Sequence, residues 1–90
     1  SLEDAKISVF DRGFLFGDAI YEVTRSYNRI LFEIEPHIQR LYKSAEKIHM
    51  HLPDTQQVLI NRIYALYKKL DVDNVFMRIQ ISRGQGAIGM

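Results

Sequence analysis

The hydrophobic pattern of this chain changes period twice, and that change restricts its fold more than any other feature. Ala19 to Tyr27 (AIYEVTRSY) alternates in character and is rich in β-branched and aromatic residues, the pattern of a strand. Tyr21, Val23, Arg25 and Tyr27 share one face of it, and Ile20, Glu22, Thr24 and Ser26 the other. Between Pro36 and Met50 the spacing becomes helical: Ile38, Leu41, Ala45 and Ile48 form one apolar stripe, with His37, Arg40 and Ser44 on a neighbouring face. Glu35-Pro36 opens this helix, because a first-turn proline lacks only a donor that has no partner there. Pro53 ends the element. Asp54 with Gln57 has the form of a capping box and starts a second helix carrying Leu59, Ile63, Leu66 and Leu70. The pattern then alternates again, with Val75, Met77, Ile79 and Ile81 on one face and Phe76, Arg78, Gln80 and Ser82 on the other.

The remaining segments connect these elements. Lys6 to Phe10 reads as the end of a short strand, and Asp11 to Phe16 as a turn or a single helical turn released by Gly17. Asn28-Arg29 is a two-residue turn, from which Ile30 to Phe32 returns as the partner of a hairpin. The order is β-β-α-α-β, and the expected class is α+β: a two-layer small domain with helices packed on a sheet.

Ninety residues allow one domain at most. A net charge of +1 with both signs interspersed leaves no electrostatic footprint for nucleic acid or an anionic membrane surface. The chain contains no cysteine, which excludes disulfides and thiolate metal sites and fits a cytoplasmic protein. Its apolar runs are only a few residues long, so no segment is expected to span a membrane. It opens at Ser1 and closes on SRGQGAIGM directly after a strand pattern, so a piece of a longer protein is expected.

Taken singly, the candidate functional residues have ordinary readings beside the chemical ones. Gly84, Gly86 and Gly89 spell G-x-G-x-x-G, but a dinucleotide site needs a helix to start there, and a loop leaving the strand accounts for the same residues. Arg40 is either a solvated helix-face arginine or an anion ligand, and Arg78 is a lone cation in an otherwise apolar strand. Phe16, Tyr21 and Tyr27 are core aromatics or the walls of a site. His37, His49 and His51 lack metal-ligand spacing, so no metal is expected. No Ser/His/Asp arrangement stands out.

Together they carry more. DRGFLFGDAIYEVTRSYN, then EPHIQRLYKSAEKI, then FMRIQISRGQGAIG, in this order and at these separations, resemble the N-terminal region of class IV aminotransferases. This pyridoxal-phosphate family includes branched-chain aminotransferases, D-amino-acid aminotransferases and aminodeoxychorismate lyases. The resemblance covers about residues 7 to 89 and implies the N-terminal part of the D-amino-acid aminotransferase-like fold. It implies pyridoxal 5'-phosphate as cofactor and Arg40, in the H-x-x-R-L motif His37-Ile38-Gln39-Arg40-Leu41, as the ligand of its phosphate. A planar guanidinium giving two parallel hydrogen bonds suits a phosphate. It places Phe16 and Tyr21 in the substrate pocket and Arg78 at a substrate carboxylate.

The sequence departs from the family pattern at Phe76, where branched-chain members commonly have tyrosine, and at Arg29, where glycine is usual after Asn28. Lys6, Lys43, Lys47, Lys68 and Lys69 do not match the family lysine that bonds the cofactor; that lysine belongs to a C-terminal domain beyond these residues. Residues 1–90 are thus expected to be a partial N-terminal domain, inactive alone, of an enzyme transferring an amino group between an amino acid and a 2-oxo acid. Branched-chain substrates and a homodimeric or larger assembly are expected. D-amino-acid transfer, aminodeoxychorismate lyase activity and a non-catalytic binding module that keeps the fold are the alternatives.

Overall fold

A nine-residue strand organises the molecule. β1 (Ala19–Tyr27) forms where the sequence alternates, and its burial alternates residue by residue. The computed structural model describes residues 2–85. A short 3-10 turn at Leu2–Asp4 comes first, then α1 (Arg12–Phe16), β1, β2 (Ile30–Leu31), α2 (Ile34–Lys47), α3 (Gln56–Leu70) and β3 (Phe76–Ser82). The sheet order is β2-β1-β3, and β2 runs antiparallel to β1 with Ser26 opposite Leu31. The α+β class and the β-β-α-α-β order expected from the sequence are both present, with α1 ahead of them.

The chain divides into two compact units. One comprises Tyr21–Ile79, the other the residues up to Ile20 and those from Gln80 onward. In the Tyr21–Ile79 unit α2 packs on α3, and Leu31, Ile38 and Leu41 are almost wholly buried with Ala45, Ile60, Ile63, Met77 and Ile79 around them. The α2 stripe is Ile34, Ile38, Leu41 and Ala45, largely as its spacing predicts. The α3 stripe differs: Ile60, Ile63 and Tyr67 are buried, while Leu66 and Leu70 are exposed. Tyr67 turns inward because its hydroxyl has a partner there, the Asp73 carbonyl at 2.9 Å. Apolarity alone gives a tyrosine no such preference.

Other boundaries moved for local reasons. α2 opens at Ile34, so Pro36 is its third residue, where the missing N–H is still one of the unpaired first-turn donors. α3 is capped by Thr55, whose hydroxyl accepts from Val58 N at 3.3 Å, and not by Asp54, which pairs with Arg62 at 2.6 Å. β2 stops at Leu31, and Ile48 follows the end of α2 as its partly exposed cap. Lys6 to Phe10 is not a strand: Ser8 accepts from Phe10 N with its hydroxyl and from Asp11 N with its carbonyl, closing a turn.

Both residues of the hairpin turn have positive φ, 50° at Asn28 and 66° at Arg29, as a type I′ turn requires. Arginine is strained there where glycine is not. Its side chain is tied to Asp71 at 2.8 Å and Asp73 at 2.7 Å, and its N–H to the Asp73 carbonyl. Gly86 and Gly89 of the glycine run lie outside the described residues. Among the described residues no helix is long and apolar enough to cross a membrane, and no three His, Cys, Asp or Glu side chains could hold a metal ion.

Candidate functional site

In the unit that pairs the residues up to Ile20 with those from Gln80, the segment Asp11–Asp18 is held by its own charges. Asp11 caps α1, accepting from Gly13 N at 2.8 Å and Phe14 N at 3.4 Å, and also takes the Ser82 hydroxyl at 2.8 Å. The Ser82 bond, with the two backbone donors, holds its carboxyl below the usual aspartate range. Arg12 donates from Nε to the Gly84 carbonyl at 3.1 Å and from Nη2 to that of Arg83 at 2.9 Å. Arg83 in turn binds Asp18 at 2.6 Å. Gly13 lies so close to β3 that a Cβ there would meet the Cβ of Ser82 at 2.6 Å. Gly17, at φ 67°, ends the helix in the left-handed conformation. Four charged side chains therefore fix the turn, and Phe14 and Phe16 are left exposed, Phe16 by 55%.

In the Tyr21–Ile79 unit the outward face of the sheet is aromatic. Tyr21, Val23, Tyr27, Phe32 and Phe76 are all exposed, Phe76 by 72%. Two arginines lie on this face. The Arg78 guanidinium sits 4.5 Å from the ring centre of Tyr21, and that of Arg25 sits 4.8 Å from Tyr27 and 5.0 Å from Phe76. Among the described residues neither has a carboxylate partner, so each keeps hydrogen-bond donors available while its guanidinium carbon lies over a ring. The structure brings Tyr21 and Arg78 together.

Arg40 belongs to the opposite side of β1. Its Nε and Nη2 grip Glu22 in a fork, at 2.9 Å to Oε2 and 2.7 Å to Oε1, and His37 Nδ1 reaches Oε1 at 2.8 Å. The carboxylate is buried, with 7% of its side chain exposed, whereas the Arg40 side chain is 68% exposed. The Arg40 bonds, helped by His37, hold the Glu22 carboxyl below the usual glutamate range against the opposing effect of burial. The same pairing raises the Arg40 pKa. Beside it lies a cleft of about 270 Å³ lined by Glu33, Pro36, His37 and Arg40.

Sequence reasoning missed two of these residues. Glu22 had a readable signal: it is a carboxylate on the same strand face as Ile20 and Thr24, which is the face the helices cover. Arg25 shares its face with Tyr21 and Tyr27 by alternation, so its place beside Tyr27 was readable, whereas its second ring, Phe76, lies on a strand some fifty positions away, beyond the reach of local pattern.

The model of the amino-transferase class IV family matches residues 19–89. A D-alanine aminotransferase of Staphylococcus epidermidis is 44% identical over 82 residues, covering 91% of this chain and 29% of that protein. A provisionally named branched-chain-amino-acid aminotransferase of Methanocaldococcus jannaschii is 34% identical over 88 residues, covering 98% and 31%. The chain thus spans about three-tenths of the length of the curated relatives it matches. Among solved structures, the T.th. branched-chain amino acid aminotransferase complexed with N-(5'-phosphopyridoxyl)-L-glutamate is 25% identical. It superposes with a TM-score of 0.89 over 97% of this chain and 30% of its own. The Escherichia coli branched-chain enzyme shares the fold at a TM-score of 0.91 over 98% of this chain, 31% of its own and 24% identity. A family match over most of the sequence and the shared fold agree: the chain belongs to the class IV amino-transferase family.

Proposed function

We propose that these residues form the N-terminal part of a pyridoxal 5'-phosphate-dependent aminotransferase that moves an amino group between an amino acid and a 2-oxo acid. Branched-chain substrates are favoured, and a C-terminal domain outside these residues supplies the lysine that bonds the cofactor. The observation that carries this reading is Arg40. One edge of its guanidinium is fixed by Glu22, while Nη1 has no partner among the described residues and a cleft lies beside it. That donor set fits a phosphate. Bound pyridoxal phosphate would supply the electron sink that the chemistry of the α-carbon needs.

The chain's own residues would bind and orient. Arg40 holds the cofactor phosphate. Arg78, over the Tyr21 ring, receives a substrate carboxylate. Tyr21 provides an apolar wall that keeps water from the reacting carbon. Phe76 offers no hydroxyl, so carboxylate binding rests on the guanidinium. The whole enzyme is proposed to work as a homodimer or larger assembly, and residues 1–90 alone to be inactive.

Arg40→Ala in the full-length protein is expected to weaken pyridoxal phosphate binding roughly 10- to 150-fold, since a charge-assisted pair contributes on the order of 1.5–3 kcal/mol. Titration of cofactor fluorescence measures it, and an unchanged affinity would overturn the assignment. A second reading, D-amino-acid transfer, is favoured by the 44% identity to the Staphylococcus epidermidis D-alanine aminotransferase. Turnover of L-leucine against D-alanine with 2-oxoglutarate decides between them.

A further inference from the structure

We infer that Glu22 is a positioning residue for anion binding by Arg40, holding the inner edge of the guanidinium so that the outer donors stay presented for a phosphate. The inference rests on the reading of Arg40 as a phosphate ligand and deepens it. Three observations lead to it.

The first is the asymmetry of the pair: the carboxylate is buried on a strand, while the guanidinium is mostly exposed on α2. Exposed ion pairs usually join two mobile side chains and contribute little. Here one partner is fixed by the sheet, and the other would otherwise sample many rotamers in water. The second is the fork itself. Bonds from Nε and Nη2 to the two oxygens of one carboxylate define the plane of the guanidinium as well as its place. The third is His37. Its Nδ1 meets the same Oε1 at 2.8 Å, and an ionised carboxylate has no proton to give, so Nδ1 carries the hydrogen and donates. Three donors thus share the charge of Glu22. Its repulsion of a phosphate is reduced by that sharing and by the solvent around Arg40, so the loss of orientation outweighs the relief of repulsion when Glu22 is neutralised.

The test uses the full-length protein and two probes, pyridoxal 5'-phosphate and pyridoxal, titrated against wild type, Glu22→Gln, Arg40→Ala and the double variant. Glu22→Gln is expected to weaken pyridoxal phosphate binding about 5- to 10-fold, leave pyridoxal binding within about twofold, and add nothing in the Arg40→Ala background. A merely structural role predicts a different pattern, with both probes losing affinity and the two substitutions adding. Glu22→Asp, which keeps the charge one methylene short, should fall between wild type and Glu22→Gln, and it carries the test if Glu22→Gln does not fold. An unchanged or tightened affinity in Glu22→Gln, with Arg40→Ala still weakened, overturns the inference and leaves the cofactor reading intact. If Arg40→Ala itself leaves the affinity unchanged, the phosphate reading falls and this inference falls with it.

Discussion

The two faces of β1 differ in the opposite sense to an ordinary two-layer domain. The covered face carries Glu22, Thr24 and Ser26, all buried, while the open face carries Tyr21, Val23 and Tyr27, all about half exposed. On the covered side each polar group has a partner. Thr24 donates to the Phe32 carbonyl at 2.6 Å, and Ser26 donates to that of Asp73 and accepts from Val75 N at 2.8 Å. Among the described residues no buried side-chain polar atom lacks one. Buried polar groups are tolerated only on those terms. The covered face therefore fixes geometry through directional bonds, and the open face keeps rings and guanidinium groups available for something else to touch.

The largest expected effect on this contrast comes from Ser26→Ala. The hydroxyl is completely buried and serves two backbone groups, so its removal leaves the Val75 N–H without an acceptor and the Asp73 carbonyl with one donor fewer. The expected destabilisation is about 1–3 kcal/mol, read by urea or thermal unfolding of the full-length protein. A change below about 0.5 kcal/mol would mean that water replaces the hydroxyl and that the covered face is less closed than it looks.

Arg78→Ala examines the open face on its functional side. If Arg78 receives a substrate carboxylate, kcat/KM should fall roughly 10- to 150-fold while stability moves by less than about 0.5 kcal/mol. The opposite outcome, lost stability with kinetics intact, would make the contact with Tyr21 structural.

Acid titration sharpens the covered side. The Glu22 carboxyl is held below its ordinary value of about 4.5, so the stability it contributes is fully present above that pH. As pH falls through the lower folded-state value, protonation removes it. The stability difference between wild type and Glu22→Gln should therefore be largest near neutrality and shrink below about pH 4.5, measured by denaturant midpoints across that range. A difference independent of pH would show that shape, and not charge, is what Glu22 provides.

Much of this was legible because alternation is local: β1 and the assignment of residues to its faces follow from nine consecutive positions. The H-x-x-R-L motif and the aromatic run were legible as a set, through resemblance. What stayed hidden depends on contacts remote in sequence. Arg12 bonds the carbonyls of Arg83 and Gly84, roughly seventy residues away, so no local pattern could reveal that DRGFLFGD is held by its charges. The α3 face was missed because Tyr67 turns inward for a carbonyl at Asp73, a preference that hydrophobic spacing ignores. Glu22 was visible as a residue, but its meaning required α2 to be laid across β1.

Neighbouring residues on β1 give the finest comparison, because Val23 and Thr24 are nearly the same size and face opposite ways. Thr24→Val takes the donor from the Phe32 carbonyl and is expected to cost about 1–2 kcal/mol. Val23→Thr puts a hydroxyl where the side chain is 45% exposed, so the expected change is within about 0.5 kcal/mol. Both are measured by thermal unfolding of the full-length protein under the same conditions. The small value is the informative one. If Val23→Thr instead costs about 1 kcal/mol or more, the outer face at Val23 is dry in the full-length protein, because burying a hydroxyl without a partner has that magnitude. Some other part of the protein must then lie on the aromatic face. If the change is negligible, solvent reaches Val23, and the rings of Tyr21 and Phe76 with their two arginines stay accessible to a ligand.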